Sequence, residues 1–516
     1  MSLQFITGNS GNGKTKYLFN RIVKEAKANP RDNYLVIVPE QFTMQTQRQL
    51  VDLSENKAIM NIDVLSFKRL AYRVFDELGI TNLTVLEETG KNLVLRKLAA
   101  QEADKLGVIG RNLNRIGYIS EVKSLLSELV QYNISPEELG RYIASGRLSD
   151  TLSDKLKDVL VLYEAFEKFM QDKYITAEEI LNVLSNVAEE SAILRNSVIA
   201  FDEFTGFTPI QNQLIKKLFV ISKKIYVTLT IDCREDIFKS RGMQELFDMP
   251  KRTVKSLTEM AAFYGIEVEE PIILDKNYRL AENEELSFME QQLFRKRRCS
   301  FKKAPKHIHI DCLRDPKQEL TKIARRINEL VRNENLRYRD IAIVTGDVNI
   351  YAGYVREIFD KYNIPYFIDA TQEILFHPFI EFIRSIPDIA AQNFSADAVF
   401  RFLRCGFSEL LDSEIDVLEN YVLACGVRGK SAWDKKWVRL PKHKAGYDIE
   451  LLNQSREYIM ELLKPVYQVF SDKKSTVKDY VLAIYKLIVL LDIPDKLAKK
   501  EQALLDAGDQ TASKEY

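Results

Sequence analysis

Eight residues near the start of the chain carry the clearest chemistry. Gly8-Asn9-Ser10-Gly11-Asn12-Gly13-Lys14-Thr15 fits the pattern G-x-x-x-x-G-K-[ST]. Glycines in such a loop let successive backbone N–H groups turn inward around phosphate oxygens. The N-terminus of the helix that follows adds positive potential. In that pattern Lys14 reaches the β- and γ-phosphates of a nucleoside triphosphate such as ATP, and the Thr15 hydroxyl ligates Mg²⁺. A second signal is Ser197–Glu203 (SVIAFDE), an apolar run ending in two carboxylates. In a phosphate-loop NTPase an Asp at such a strand end, here Asp202, holds Mg²⁺, and an adjacent Glu, here Glu203, polarises the attacking water. The bland alternatives are a chance glycine loop and a solvated acidic turn.

Both signals depend on the elements around them. Gln4–Thr7 reads as a short apolar strand, and Lys14–Ala28 has helical periodicity. Tyr34–Val38 (YLVIV) is a continuous apolar run stopped by Pro39, which suits a strand buried on both faces of a parallel sheet. Ile62–Leu65 begins a third unit, with a helix over Phe67–Leu78. Strands return at Ser197–Phe201 and Ile225–Ile231, joined by a helix from Pro209. Between about Glu87 and Glu190 apolar residues recur at three and four, as in Leu152, Leu156, Leu160, Tyr163 and Phe166. That stretch is a helical insertion into an α/β sheet. A second α/β region starts near Ile272, with strands predicted at His307–Cys312, Asp340–Thr345 and Tyr366–Ile368 and a helix around Tyr351–Tyr362. From about Phe376 onward the pattern is mostly helical.

Composition narrows the class without naming a partner. The 516 residues hold 74 Lys+Arg against 74 Asp+Glu, so a nucleic-acid role must be argued from local patches. A hydrophobic fraction of 46% excludes disorder, and no window approaches a membrane span. The N-terminus lacks a signal peptide's basic and apolar regions. Five scattered cysteines without a CxxC pair suit reduced thiols in a cytoplasm.

Further segments carry a resemblance. Ile62–Phe67 (IDVLSF) resembles the motif after the third strand of superfamily 1 helicases. Leu274–Arg279 (LDKNYR) looks like the motif that opens their second motor domain, and Asp340–Asp369 is similar to the UvrD-like segment that follows. Within that UvrD/Rep-like group the chain resembles the AddB (RexB) family, through GNSGNGKT, YLVIVPEQFTMQTQRQL, VLSFKRLAYRVF, AFDEFTGFTPIQ and HPFIEFIRSI. The resemblance runs along essentially the whole chain, which corresponds to the N-terminal half of such a protein. It implies an α/β fold of two RecA-like P-loop NTPase domains, parallel sheets flanked by helices, with mainly helical inserted subdomains. The boundaries expected are 1–85 plus 192–271 for the first domain and 86–191 for its insertion. The second domain's first part is expected at 272–390, and a truncated helical insertion at 391–516.

The resemblance also implies roles. Gly13, Lys14 and Thr15 take the phosphate-loop positions, Asp202 and Glu203 the acidic motif, and Arg279 matches an arginine that contacts the γ-phosphate. The chain departs from active motors in three places: no adenine-binding glutamine precedes the loop, Thr228–Cys233 (TLTIDC) lacks the sensor glutamine, and the last motor motifs do not occur in it. In the AddB family this subunit is not the translocating motor. It pairs with an AddA-type helicase–nuclease, acts on duplex ends and single-stranded DNA in double-strand break repair and recombination, and helps recognise Chi. The family's nuclease and [4Fe–4S] cluster lie in the C-terminal half. An autonomous DNA-stimulated ATPase and a structural module with a degenerate nucleotide site remain the rival readings.

Other features weigh less. Arg295–Lys306 (RKRRCSFKKAPK) has seven basic residues and no acidic one, which suits either DNA phosphates or a solvated linker, and Phe301 within it could stack on a base. His307 and His309 lack a third ligand at metal spacing except Cys312. Trp433 and Trp437 read as packing anchors, and Cys405 and Cys425 as buried thiols.

Overall fold

The computed structural model describes the chain except residues 82–83, 109, 111–115, 146–147, 172, 296–298, 371–373, 442–446 and 515. It divides into two compact units, Met1–Ile310 and Asp311–Tyr516. The first opens with β1 (Ser2–Gly8), α1 (Lys14–Ala28), β2 (Tyr34–Ile37), α2 (Thr43–Leu53), β3 (Ile62–Leu65) and α3 (Phe67–Leu78). After a helical excursion it resumes with α8 (Ile180–Val187), β6 (Val198–Phe201), α9 (Pro209–Ile221), β7 (Lys224–Thr230) and α10 (Asp248–Phe263). It ends with β8 (Glu267–Val268), β9 (Ile272–Leu274) and α11 (Glu284–Gln292).

These strands form one sheet in the order β3-β2-β6-β7-β1-β8, with β9 also on β1, and every pairing is parallel. Side chains alternate across a strand, which explains the two cores. Leu3 and Phe5 join Leu35, Ile37, Ile199 and Val227 beneath α3, α8, α9 and α10. Ile6 joins Val36, Ala200 and Tyr226 beneath α1 and α2 on the other face. The strands are therefore apolar on both sides, as the run YLVIV predicts.

The excursion holds β4 (Val85–Leu86), α4 (Glu88–Gln101), α5 (Ile116–Gln131), α6 (Pro136–Ala144), α7 (Asp150–Met170) and β5 (Ile175–Thr176). Its helices enclose their own core around Leu95, Leu126, Leu162 and Phe166. β4 and β5 pair in parallel where the chain leaves and returns. Ile180 and Leu184 of α8, inside the predicted insertion 86–191, pack instead into the core of the main sheet.

The second unit starts with α12 (Pro316–Asn333) and α13 (Val348–Lys361), which pack Leu320, Ala324 and Ile327 against Ile358 and Phe359. It continues through α14 (Pro378–Ala391), α15 (Ala396–Leu403), α16 (Asp412–Cys425), α17 (Lys430–Trp433), α18 (Ile449–Ser471), α19 (Val477–Leu490), α20 (Ile493–Asp506) and α21 (Gln510–Ser513). Trp433 and Trp437 lie edge to face at 5.3 Å, both buried in the helical core. Cys405 is half-buried against that core, and burial pushes its thiol up to about 12.

Two sequence expectations need revision. The segments His307–Cys312, Asp340–Thr345 and Tyr366–Ile368 form no strand, and among the described residues the second unit has none. Val344 is 93% exposed and Phe367 88%. Their composition suits strands, but a strand needs a neighbour to pair its N–H and C=O groups, and none is offered among the described residues. The second parallel sheet is thus not observed. The segment from Ile272 also behaves differently: β9 adds to the first sheet through Ile6↔Ile272 and Gly8↔Leu274 instead of opening a new one.

Candidate nucleotide-binding site

In a parallel sheet the C-terminal strand ends share one edge, where ligands of open α/β sheets bind. Here that edge gathers Gly8 of β1, Asp202 just past β6, and Thr228 and Thr230 near the end of β7. Gly11 and Gly13 bend the loop with φ of 90° and 80°, a region only glycine enters cheaply. A Cβ on Gly11 would lie 2.7 Å from Asn277 Oδ1 and 2.8 Å from Arg279 Cβ. The chain after β9 crosses directly over the loop. Asn277 Nδ2 donates to the Ser10 carbonyl at 3.0 Å, Tyr278 N to the Gly11 carbonyl at 3.0 Å, and Arg279 Nη1 to Ser10 Oγ at 3.3 Å.

Lys14 Nζ donates to the carbonyls of Gly8 at 3.1 Å and Asn9 at 3.0 Å. Burial lowers its pKa, and Arg279 acts in the same direction, while the charges of Glu203 and Asp202 oppose the shift. Thr15 Oγ1 donates to Glu203 Oε1 at 3.3 Å. Glu203 itself has φ of 64°, an uncommon left-handed conformation for a residue with a Cβ. Just beyond it Phe204 and Phe207 stack with Phe67 and Phe201, at centroid distances from 5.2 to 6.3 Å, and so anchor the turn.

Asp202 is 1% exposed. The Thr228 hydroxyl donates to its Oδ1, and its Oδ2 is buried without a hydrogen-bond partner. Burial raises its pKa, reinforced by the charge of Glu203 and opposed by the hydrogen bond from Thr228. A cavity of about 780 Å³ runs along this edge, lined by Lys14, Thr15, Asp202, Glu203, Tyr278 and Arg279 and reaching Gln49 and Asp52 of α2. The donor set fits a phosphate chain, with an ammonium, a guanidinium and a glycine loop at a helix N-terminus. The partnerless Asp202 oxygen beside a hydroxyl fits one hard cation with oxygen ligands. Among the described residues no group of three or more His, Cys, Asp or Glu forms a metal site, so a cation here would need phosphate oxygens as further ligands.

Of the predicted residues, Ser10, Gly11, Gly13, Lys14, Thr15, Asp202, Glu203 and Arg279 line one cavity. Gly8, Asn9 and Asn12 stand behind it. A Cβ on Gly8 would meet the Leu274 carbonyl at 2.6 Å. Asn12 Nδ2 donates to that carbonyl at 2.5 Å, and Asn9 Nδ2 to Glu290 Oε1 at 2.6 Å. Sequence reasoning gave no role to Thr228 or Tyr278. For Thr228 the available signal was strand alternation, which sets Tyr226, Thr228 and Thr230 on one face.

Two side chains of the basic stretch are ion-paired. Arg295 Nη2 donates to Asp232 Oδ2 at 2.7 Å and Lys303 pairs with Glu284 at 2.6 Å, while Lys296, Arg297 and Arg298 lie outside the described residues. Phe301 packs on Phe288 at 5.3 Å. His307 N donates to Glu285 Oε2 at 2.8 Å. Among the described residues no helix is long and apolar enough to cross a membrane.

The profile of the family described as ADDB, N-terminal, matches residues 5–290, which include all of the main sheet but the first three residues of β1. The chain is 38% identical, over its full length, to the AddB-type ATP-dependent helicase/deoxyribonuclease subunit of Lachnoclostridium phytofermentans, covering 46% of that protein. The proteins of the same name from Clostridium acetobutylicum and Clostridioides difficile are each 31% identical over the full chain, covering 45% and 46% of their lengths. The chain thus spans about half the length of the curated relatives it matches. With a match over more than half of its residues, centred on the sheet that builds the phosphate loop, the chain belongs to the AddB family of ATP-dependent helicase/deoxyribonuclease subunits.

Proposed function

We propose that the C-terminal edge of the main sheet binds ATP with Mg²⁺, and that the chain is a nucleotide-responsive, DNA-contacting scaffold of a helicase–nuclease instead of its translocating motor. The observation that carries the reading is Asp202, with one oxygen held by Thr228 and the other buried and unmatched beside the loop of Lys14 and Thr15. Burying a carboxylate oxygen without a partner costs free energy, so its persistence argues for a ligand. Thr15 and Asp202 would hold the cation. Lys14 and Arg279 would neutralise phosphate, and Glu203 would orient water. Bound there, Mg²⁺ would offset the charge that develops in phosphoryl transfer.

The names of the relatives support a subunit of an ATP-dependent helicase/deoxyribonuclease; an AddA-type partner, single-stranded DNA and duplex ends as substrate, and repair of broken chromosomes in the cytoplasm are part of this proposal. Chi recognition, and a nuclease with its iron–sulfur cluster outside these 516 residues, belong to the same proposal. Of residues 272–390, expected as the first part of a second RecA-like domain, β9 and α11 belong to the first unit, so the proposal is confined to the part from Asp311 onward. That reading is supported by α12 and α13 flanking the apolar run Ile341–Val344.

Calorimetry with Mg·ATP tests the nucleotide reading. Binding should be measurable and should weaken about 100-fold, or about 2.7 kcal/mol, in Lys14→Ala. An unchanged affinity in that variant, or no binding at millimolar nucleotide, would sink it. A second reading, an autonomous ATPase, is favoured by Glu203 and Arg279 sharing the cavity. Robust DNA-stimulated phosphate release that disappears in Lys14→Ala would establish that alternative.

A further inference from the structure

Asn9 is buried and makes four hydrogen bonds that point in different directions. Its carbonyl accepts from Lys14 Nζ at 3.0 Å and from Asn12 N at 3.2 Å. Its side-chain Nδ2 donates to Glu290 Oε1 at 2.6 Å, and its Oδ1 accepts from Cys233 N at 2.9 Å. One residue therefore touches the phosphate-loop lysine on its main chain and α11 on its side chain. The amide-to-carboxylate bond is charge-assisted, hence stronger than a neutral one.

α11 is fastened at the same end by a second set of bonds. Arg234 Nη2 donates to the Gln291 carbonyl at 3.3 Å. Asp232 accepts from Arg234 Nη2 at 2.6 Å and from Arg295 Nη2 at 2.7 Å, and the Arg295 guanidinium lies 5.1 Å over the Phe247 ring. Elsewhere on this helix Phe288 and Met289 line a separate groove of about 480 Å³ with Phe301 and Lys303. α11 thus contributes both to the ties behind the phosphate loop and to an apolar groove.

We propose that Glu290 is a positioning residue for the phosphate loop, and that through Asn9 it couples phosphate capture by Lys14 to the hold on α11. The proposal rests on the nucleotide reading above. The Lys14 ammonium has three N–H donors, two of them on the carbonyls of Gly8 and Asn9. Phosphate oxygens compete with those carbonyls for the same ammonium. Releasing the Asn9 carbonyl shifts a peptide whose side chain is pinned by Glu290 and Cys233, so the change passes to α11. A ligand shifts such an element only through contacts that differ between its two states, and the Lys14–Asn9 bond is that contact.

Amide hydrogen exchange of α11, read beside calorimetry on the same protein, tests this. Saturating Mg·ATP should change exchange across Glu284–Gln292 by about threefold or more in the wild type. Glu290→Ala should abolish that response and alter nucleotide affinity several-fold, and Glu290→Gln, which keeps an acceptor oxygen, should restore the response. A merely structural role would lower stability without uncoupling the two readouts. If calorimetry registers binding while α11 exchange stays constant, or if Glu290→Ala responds as the wild type does, the coupling is overturned. If calorimetry registers no binding, the nucleotide reading falls first and the coupling with it.

Discussion

Two buried polar networks, one in each unit, differ in a way that separates structure from function. In the second unit Asn453 Nδ2 donates to the carbonyls of Trp437 at 2.9 Å and Ile449 at 2.8 Å, and its Oδ1 accepts from Trp437 N at 2.9 Å. Arg456 Nη1 donates to the Trp433 carbonyl at 2.8 Å and its Nε to Asn453 at 3.2 Å. Apart from the Trp433 indole N–H, this network closes on itself. At the edge of the main sheet, Asp202 Oδ2, Asn12 Oδ1 and Thr7 Oγ1 are all buried without a partner. Closed networks fix helices, whereas open ones next to a cavity leave valences for a ligand.

Substitutions should pull the two networks apart. The largest effect is expected from Arg456→Ala, which strands the Trp433 carbonyl and opens the helical core. It should cost about 3 kcal/mol in chemical denaturation of the second unit and leave Mg·ATP affinity unchanged. A comparable loss of affinity would mean the networks are not independent. Asp202→Asn should do the reverse, because it removes a buried charge whose second oxygen is unmatched. The nucleotide-free protein should gain about 1 kcal/mol of stability while Mg·ATP affinity drops about tenfold. A loss in both would make Asp202 a structural residue. Gly11→Ala should weaken nucleotide binding by about tenfold, with a stability loss of about 1–2 kcal/mol, since its φ of 90° and its contact with Asn277 both resist a Cβ.

Titration gives the smallest but sharpest contrast, because two aspartates of one sheet edge shift in opposite directions. Asp202 has its pKa raised, chiefly by burial, so the native state holds its proton more tightly than the unfolded chain. Its contribution to nucleotide-free stability grows as pH falls from above the raised value toward 3.8, and nucleotide binding weakens over the same range. Burial of Asp232 acts in the raising direction too, but hydrogen bonds from Arg234 and the charges of Arg234 and Arg295 hold it down to about 2. Its stabilising contribution is complete above 3.8 and is lost between there and about 2. Both variants should approach the wild type at low pH and depart from it in opposite directions as pH rises, Asp232→Asn losing stability between about 2 and 3.8 and Asp202→Asn gaining it between 3.8 and the raised value.

Much of the site was legible in sequence because its demands are local. Eight consecutive residues specify the loop backbone, and β6 delivers Asp202 and Glu203 at its end. Lys14–Ala28 and Phe67–Leu78 come out with the predicted bounds for the same reason. Placement of Arg279 on the loop depended on resemblance, since nothing in LDKNYR states that β9 pairs with β1. The Asn9–Glu290 bond joins residues far apart in sequence and had no local signature. The failure at Asp340–Thr345 has the same root. Alternation and β-branching tell whether a segment suits a strand, but a ladder also needs a neighbour, and neighbours are non-local.

The position of β1 between β7 on one side and β8 and β9 on the other sets an order of events at the ribosome. β1 is paired by strands beginning at Lys224, Glu267 and Ile272, all made long after it. At the usual speed of translation of about 5–20 residues per second, the nascent β1 waits on the order of 10–40 s for its first neighbour. Through that interval Leu3, Phe5 and Ile6, fully buried at the end, have no sheet to enter. The phosphate-loop motif is thus set in its sheet late in the making of the unit, and a chaperone that shields β1 would have most to offer before residue 224 emerges.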